Sequence, residues 1–349
     1  MALIWFDGFE TYNNDADMNA LKNSVFSSVI SDGVTYGTYG RRSTRGIKMY
    51  YDKTLTWIMA DNYASFFYGI AVYRDFVGLP TYNASYPFLG FYDDTTLQIG
   101  FYVVGTEIHV YRGTTKIGET VGAGIDYQTW RYIEVEVTIN NTTGAVEIRA
   151  DENEVMTPLS GIDTQVSVNA YFNVLKLRGL HLYASPSYFD DFYMCDLTGA
   201  KNNDFLGDVR VDTIRPDGEG TYSANFTPSS AGDNNLMVDE TYPDDDTTYN
   251  QGSSVGDKDT YTLGALPSPP ASTTIHGVKS QITVRKTDAG SRECKILTRA
   301  GTTDALGDAL VLSESYLTPT KIYEDNPADS AAWEDADVNG MEVGVEITV

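Results

Sequence analysis

The sequence predicts an all-β protein built from two domains, and three observations carry the prediction. Short runs in which apolar and polar residues alternate recur along the chain, separated by Gly, Asn and Asp, while long helical patterns are scarce. Tyrosine is heavily used, with 25 residues against 14 Phe and 4 Trp. It suits half-buried strand faces, because its ring packs while its hydroxyl stays wet. The length of 349 residues is large for one sandwich and natural for two.

The first domain is expected over residues 1–200. Leu3 to Phe6 reads as an opening strand with Asp7-Gly8-Phe9-Glu10 as its turn, and Asp17 to Ile30 as a short helix or loop. Ile47 to Tyr51, Phe66 to Arg74 and Phe88 to Tyr92 read as strands. Leu97 to Val104 and Glu107 to Arg112 are joined by Gly105-Thr106, the spacing of a hairpin. Arg131 to Ile139 sets Ile133, Val135, Val137 and Ile139 on one face and Tyr132, Glu134, Glu136 and Thr138 on the other, read as the solvent face. Asn140-Asn141-Thr142-Thr143-Gly144 is a turn, and Ala145 to Ala150 returns with the same period. Val174 to Leu182 and Tyr188 to Met194 complete the domain.

The second domain is expected over residues 201–349. Asp208 to Ile214 reads as its first strand, and a long polar loop region follows over residues 217–257. Lys258 to Leu263 is a strand, and Pro267-Ser268-Pro269-Pro270 an extended connector. Ile275 to Lys286, Arg292 to Arg299, Ala309 to Tyr316, Lys321 to Glu324 and Gly340 to Val349 give five further strands. Strands spaced by turns in this way predict a second, smaller β-sandwich.

The formal net charge is −25. Residues 1–200 hold 13 basic and 23 acidic groups, and the remainder 11 and 26. Binding to nucleic acid through phosphate neutralisation is therefore not expected. Cys195 and Cys294 are far apart; two buried free thiols are expected, with a single bridge between the domains as the alternative. The start, Met1 to Phe6, has no basic flank and too short an apolar run for a signal peptide, and no stretch reaches the roughly 20 apolar residues of a membrane span. Soluble material folded in a cytoplasm, without membrane insertion, is the expectation.

Two resemblances add to this reading. The alternating pair around Asn140–Gly144, led by Trp130, with Phe189-Asp190-Asp191-Phe192-Tyr193 returning toward the start of the domain, resembles the concanavalin A-like lectin/glucanase sandwich. That family is a jelly roll that pairs its first and last strands. Phe6-Asp7-Gly8-Phe9-Glu10-Thr11-Tyr12, Asp190-Asp191-Phe192-Tyr193 and Phe205-Leu206-Gly207-Asp208-Val209-Arg210-Val211 resemble segments of tailed-bacteriophage virion proteins. So do Asn234-Asn235-Leu236-Met237-Val238-Asp239-Glu240 and Val338-Asn339-Gly340-Met341-Glu342-Val343. The resemblance implies a non-enzymatic structural protein on the outside of a virion, as head decoration or tail component. It would be folded in the host bacterial cytoplasm, with other virion proteins as partners and homo-oligomers expected. A host-glycan-binding receptor module is the first alternative and a glycan depolymerase the second.

Few residues single themselves out chemically. Hydrolysis of a glycosidic bond needs two carboxylates, about 5–5.5 Å apart for retention. Glu134-Val135-Glu136 offers two on one strand face but lacks the third of the glucanase pattern Glu-x-Asp-x-x-Glu. His109, His181 and His276 show no His-x-x-x-His and no adjacent ligand set, so no transition-metal site is expected. Asp239, Glu240, Asp244, Asp245 and Asp246 crowd one turn-rich segment and are the calcium candidates, with Asp190 and Asp191 a second candidate pair. No EF-hand spacing is present, and a solvated acidic loop is the plain alternative. Tyr36, Tyr39, Tyr82 and Tyr86, within a longer aromatic run, are read as core together with a subunit interface, and a sugar-stacking platform is the alternative. Arg41 and Arg42, with Arg45, form the one local basic cluster, which a docked acidic neighbour would suit, with a solvated loop as the default reading.

Overall fold

The computed structural model describes residues 2–75, 86–122, 124–180, 185–267 and 273–349. They form two compact units, Met1–Asn19 with Ser24–Val211, and Ala20–Asn23 with Asp212–Val349. The first half of the chain runs β1 (Leu3–Asp7), α1 (Asp15–Asn19), β2 (Leu21–Lys22), β3 (Phe26–Asp32), β4 (Thr35–Gly37), β5 (Gly46–Met49), β6 (Thr54–Tyr63), β7 (Ser65–Arg74), β8 (Leu89–Asp93) and β9 (Thr96–Val104). It continues through β10 (Glu107–Arg112), β11 (Thr115–Glu119), β12 (Trp130–Thr138), β13 (Gly144–Ala150), β14 (Asn153–Glu154), β15 (Leu159–Ile162), β16 (Phe172–Arg178) and β17 (Ser187–Cys195). The rest holds β18 (Pro216–Glu219), β19 (Thr227–Pro228), β20 (Asn250–Gln251), β21 (Lys258–Leu263), β22 (Val278–Gln281) and β23 (Glu293–Ala300). β24 (Thr303–Leu306), β25 (Leu310–Val311), β26 (Thr318–Tyr323), α2 (Asp335–Asn339) and β27 (Glu342–Ile347) end it.

The first unit is an antiparallel jelly-roll sandwich. One sheet has nine strands in the order β14-β13-β12-β7-β17-β5-β4, with β1 on β17 and β15 on β13; the other has seven, β11-β10-β9-β8-β16-β6-β3. The first strand β1 pairs with the last, β17, as the lectin-like resemblance implies. Aromatic rings from both sheets meet between them. Phe172 lies 4.9 Å from Phe91 and 5.1 Å from Phe66, and Trp57 lies 5.0 Å from Phe192, all fully buried. Each such ring withdrawn from water contributes about 1.5–3 kcal/mol before the cost of ordering it. The Gly105-Thr106 hairpin joins β9 and β10 as read, with Gly105 at φ +66°. In the Asn140–Gly144 turn, Asn140 Oδ1 accepts hydrogen bonds from the amides of Thr142 and Thr143, each at 2.9 Å.

Two readings from alternation are corrected. Glu134 and Tyr132 were placed on a solvent face, yet they are 1 % and 0 % exposed. Residues 205–209 lie over that face: Phe205, Leu206 and Val209 pack on Leu3, Phe67, Ala71, Tyr132 and Tyr193. Those same residues lie in or beside the stretch Asp208 to Ile214 read as a strand, and it is none. It pairs with no neighbouring strand: the Val209 amide donates to the Gly207 carbonyl at 2.8 Å, and amides on either side go to carboxylates. Gly207 N donates to Glu134 at 2.9 Å and Val211 N to Asp191 at 2.8 Å.

The second unit has a six-stranded sheet, β18-β21-β27-β23-β24 with β25 on β23, and a three-stranded sheet, β2-β26-β22, in which β2 runs parallel to β26. The C-terminal strand β27 is central, between β21 and β23. It follows α2, a short helix absent from the sequence reading and closed by a capping box between Glu334 and Asp337. Strands read at Ile275 to Lys286 and Ala309 to Tyr316 shrink to β22 and β25. Trp333, Val338, Met341 and Ala300 form a core here. Both cysteines are free and buried, and burial pushes the Cys294 thiol up to about 11. Among the described residues no helix is long and apolar enough to cross a membrane.

Candidate functional site

The outer face of the seven-stranded sheet brings together side chains that the sequence scatters. Residues directly opposite in a ladder share a face. A single outer row therefore crosses all seven strands: Lys116, Tyr111, Gly100, Gly90, Lys176, Thr56 and Ile30. The adjacent row, Val110, Phe101, Leu89, Leu177 and Leu55, is buried in the core.

The two glycines at the centre of the outer row make a floor. A Cβ on Gly90 would stand 2.6 Å from the Tyr92 ring and 3.0 Å from Pro87, and one on Gly100 3.0 Å from the Tyr102 ring. Tyr92 and Tyr102 therefore lie flat over the sheet and are buried. Tyr111 packs edge-on to Tyr102 at 4.9 Å and is half-buried. Tyr86 stands at the edge and is 48 % exposed.

Cations complete the face. Lys176 Nζ sits 4.7 Å above the Tyr92 ring, and Arg178 Cζ 4.5 Å above the Tyr86 ring. These two are neighbours on one face of β16, and among the described residues neither has a carboxylate within ion-pair distance. Arg178 Nε is buried with no hydrogen-bond partner among the described residues. Burial, with Arg178 adding to it, lowers the Lys176 ammonium below its usual value. Burial pushes the Tyr102 phenol up to about 12, with Tyr92 and Tyr111 adding to it, so it stays a neutral donor. A surface with the exposed Tyr86 ring, the half-buried Tyr111, two cations and the Thr56 hydroxyl can stack on a sugar ring and pair with carboxylate or sulfate groups.

The sequence candidates fall elsewhere, apart from Tyr86. Tyr36 is buried, with its hydroxyl 2.8 Å from Ser31 Oγ and its ring against Tyr12. Tyr39 packs on Tyr188 at 5.6 Å beneath Lys48. Tyr82 and His181 lie outside the described residues. In the acidic loop, Glu240 and Asp244 both accept from Thr248 Oγ1, at 2.5 and 2.9 Å, while Asp246 takes Arg285 at 2.6 Å and Tyr316 at 2.8 Å. Glu240 and Asp244 thus converge on one hydroxyl, while Asp246 is engaged by a guanidinium and a phenol.

Arg41 and Arg42 find their acidic neighbour inside the first unit. Arg41 Nε and Arg42 Nη1 both reach Asp191 Oδ2, at 2.9 and 2.8 Å, and Arg41 also donates to the Val209 carbonyl at 2.6 Å. Asp190 accepts from the Arg41 amide at 2.7 Å. An extra residue in β17 between Asp190 and Tyr193 produces this pairing, with Asp191 at φ +48°. Burial beside Asp191 and Glu10 raises the Asp190 carboxyl far above the usual carboxylate range. Glu134 is raised too, by burial, against the donors Tyr193 at 2.5 Å and Gly207. This network holds residues 205–211 down and presents no open face.

No family model matches the chain, and no curated protein matches it. Solved structures with a similar sandwich include the catalytic domain of a glycoside hydrolase family 131 protein from Coprinopsis cinerea, at 14 % identity and TM-score 0.35, covering 60 % of this chain and 99 % of that one. Peanut lectin matches at 10 % identity and TM-score 0.33, over 55 % of this chain and 97 % of the lectin. A carbohydrate-binding module, CBM66 from Bacillus subtilis, matches at 12 % identity and TM-score 0.30, over 50 % and 99 %. These likenesses concern fold. They correct the expectation that the chain is not an enzyme: a sandwich shared with catalytic domains gives no ground for excluding glycoside chemistry.

Proposed function

We propose that the chain binds glycans, and acidic ones in particular, on the outer face of the seven-stranded sheet. The observation that carries this reading is the pair Lys176 and Arg178, set over tyrosine rings and, among the described residues, left without carboxylate partners in a chain of net charge −25. Cations in so acidic a protein find acids readily, as Arg41, Arg131 and Lys258 do. Lys176 and Arg178, side by side on β16, do not among the described residues, and they are the pair that would meet an anionic ligand. Tyr86 supplies the exposed ring that would stack on a sugar, and Tyr111 a second, half-buried one. The virion placement rests on sequence resemblance alone, and the glycan reading takes precedence over it.

The test is calorimetric titration of the full chain with neutral, uronate-containing and sulfated oligosaccharides. Binding of the acidic sugars, lost in Lys176→Gln and Arg178→Gln and weakened in Tyr86→Ala, is the expected result. No binding at millimolar sugar, or binding indifferent to all three substitutions, would overturn it.

A further inference from the structure

We propose a transition-metal site on the edge hairpin of the seven-stranded sheet, with Glu107, His109 and Glu119 as its three protein ligands and zinc as the fitting ion. Glu107 and His109 lie two apart on β10 and so project from the same face. Glu119, on β11, is the direct cross-strand partner of His109. The ladder thus delivers one imidazole and two carboxylates to one spot with no loop involved.

The spacing suits a metal. His109 Nε2 is 3.3 Å from Glu107 Oε2 and 3.1 Å from Glu119 Oε2, and the three donor atoms all lie within 4.8 Å of one another. Zinc–nitrogen and zinc–oxygen bonds of about 2.0–2.2 Å in a tetrahedron set neighbouring donors roughly 3.3 Å apart. The two separations from His109 are of this size, and the carboxylate oxygens lie within 4.8 Å of each other, close enough for one ion to draw all three together. The mixed nitrogen and oxygen set favours zinc or a similar divalent transition ion over calcium, which takes six or more oxygens. Three protein ligands leave the fourth position to water or to a ligand group. His109 is well shielded while both carboxylates are about half exposed, which gives a positioned imidazole and an open entry side.

One neighbour sharpens the prediction. Lys116 Nζ pairs with Glu119 Oε2, the same oxygen that faces His109. The ammonium therefore competes with the metal for a ligand atom. Removing it would tighten metal binding, an outcome that a purely structural ion-pair cluster does not produce.

The experiment uses the full chain, stripped with a chelator and titrated with zinc chloride by calorimetry. Visible absorption of the cobalt-loaded protein gives a second readout, and circular dichroism confirms that each variant is folded. A single saturable site is expected, weakened roughly tenfold or more by His109→Ala and by Glu119→Gln, and tightened by Lys116→Ala. A wild-type chain that takes up no zinc at millimolar concentration, or a His109→Ala variant that binds as wild type does, would overturn the site. None of these readouts involves a sugar, so the site stands or falls apart from the glycan reading.

Discussion

On the outer face of the nine-stranded sheet the Tyr193 ring lies against Gly69, and residues 205–209 close over it. On the outer face of the seven-stranded sheet Tyr92 and Tyr102 lie across Gly90 and Gly100 in the same manner, and Tyr86 beyond them stays open. The two faces share a device, a tyrosine laid on a glycine, and differ in how their charges are settled. Under residues 205–211 the charges are settled internally: Arg41 with Asp191 and Asp208, and Glu134 with Tyr193 and the Gly207 amide. The open face leaves Lys176 and Arg178 on aromatic rings. On the proposed glycan face these two cations have no carboxylate partner among the described residues.

The sharpest way to break this comparison is to open the sealed face. Asp191→Ala strips Arg41 and Arg42 of a shared carboxylate and frees the Val211 amide. Removing one member of a buried ion pair costs about 3–5 kcal/mol. Chemical denaturation is expected to show a loss of that order. A loss near zero would mean that residues 205–211 are held by apolar packing alone.

A smaller effect is expected from Glu134 and has a definite sign. Burial raises its folded-state pKa above the ordinary glutamate value of 4.5. Between those two values the native state keeps a proton that the unfolded chain has released. The stability Glu134 contributes is thus complete below about pH 4.5, declines as pH rises through the folded-state value, and is flat beyond it. Glu134→Gln fixes the neutral form, so thermal melts of the variant from acid to neutral pH should lose part of the wild-type decline. An unchanged profile would place the titration elsewhere in the network.

How much of this was legible follows from how far each interaction reaches. The β12–β13 pair, the Asn140 turn and the β9–β10 hairpin are local, and period and turn chemistry reported them. The burial of Glu134 was not, because its cover arrives 73 residues later, at Gly207. Val209 and Val211 alternate as a strand would, since one side packs on a sheet, but alternation is silent about where amides bond. Arg41 was read as a possible docking residue or part of a solvated loop, and it meets carboxylates of its own unit. That pairing depended on an extra residue in β17, and nothing in Asp190-Asp191 marks a bulge. Lys176-x-Arg178 and the pairing of Gly90 with Gly100 are visible in the sequence. They acquire meaning only once the register of three strands sets them in one row. The grouping of Glu107, His109 and Glu119 was not legible for the same reason, since Glu119 is the neighbour of His109 across a hairpin and not along the chain.

The smallest expected effect on stability belongs to the open face. Arg178→Gln removes a cation that, among the described residues, has no carboxylate partner and whose Nε makes no hydrogen bond. The Gln stem still covers part of the Tyr86 ring, so the loss is confined to a cation–π contact at a partly exposed site, about 0.5–1 kcal/mol. Relieving repulsion from Lys176, the next residue on that face, works in the opposite direction. Thermal denaturation should therefore show the variant within about 0.5 kcal/mol of wild type, with acidic-glycan affinity falling by far more. A variant destabilised as severely as Asp191→Ala would place Arg178 among the structural charges and erase the difference between the two faces.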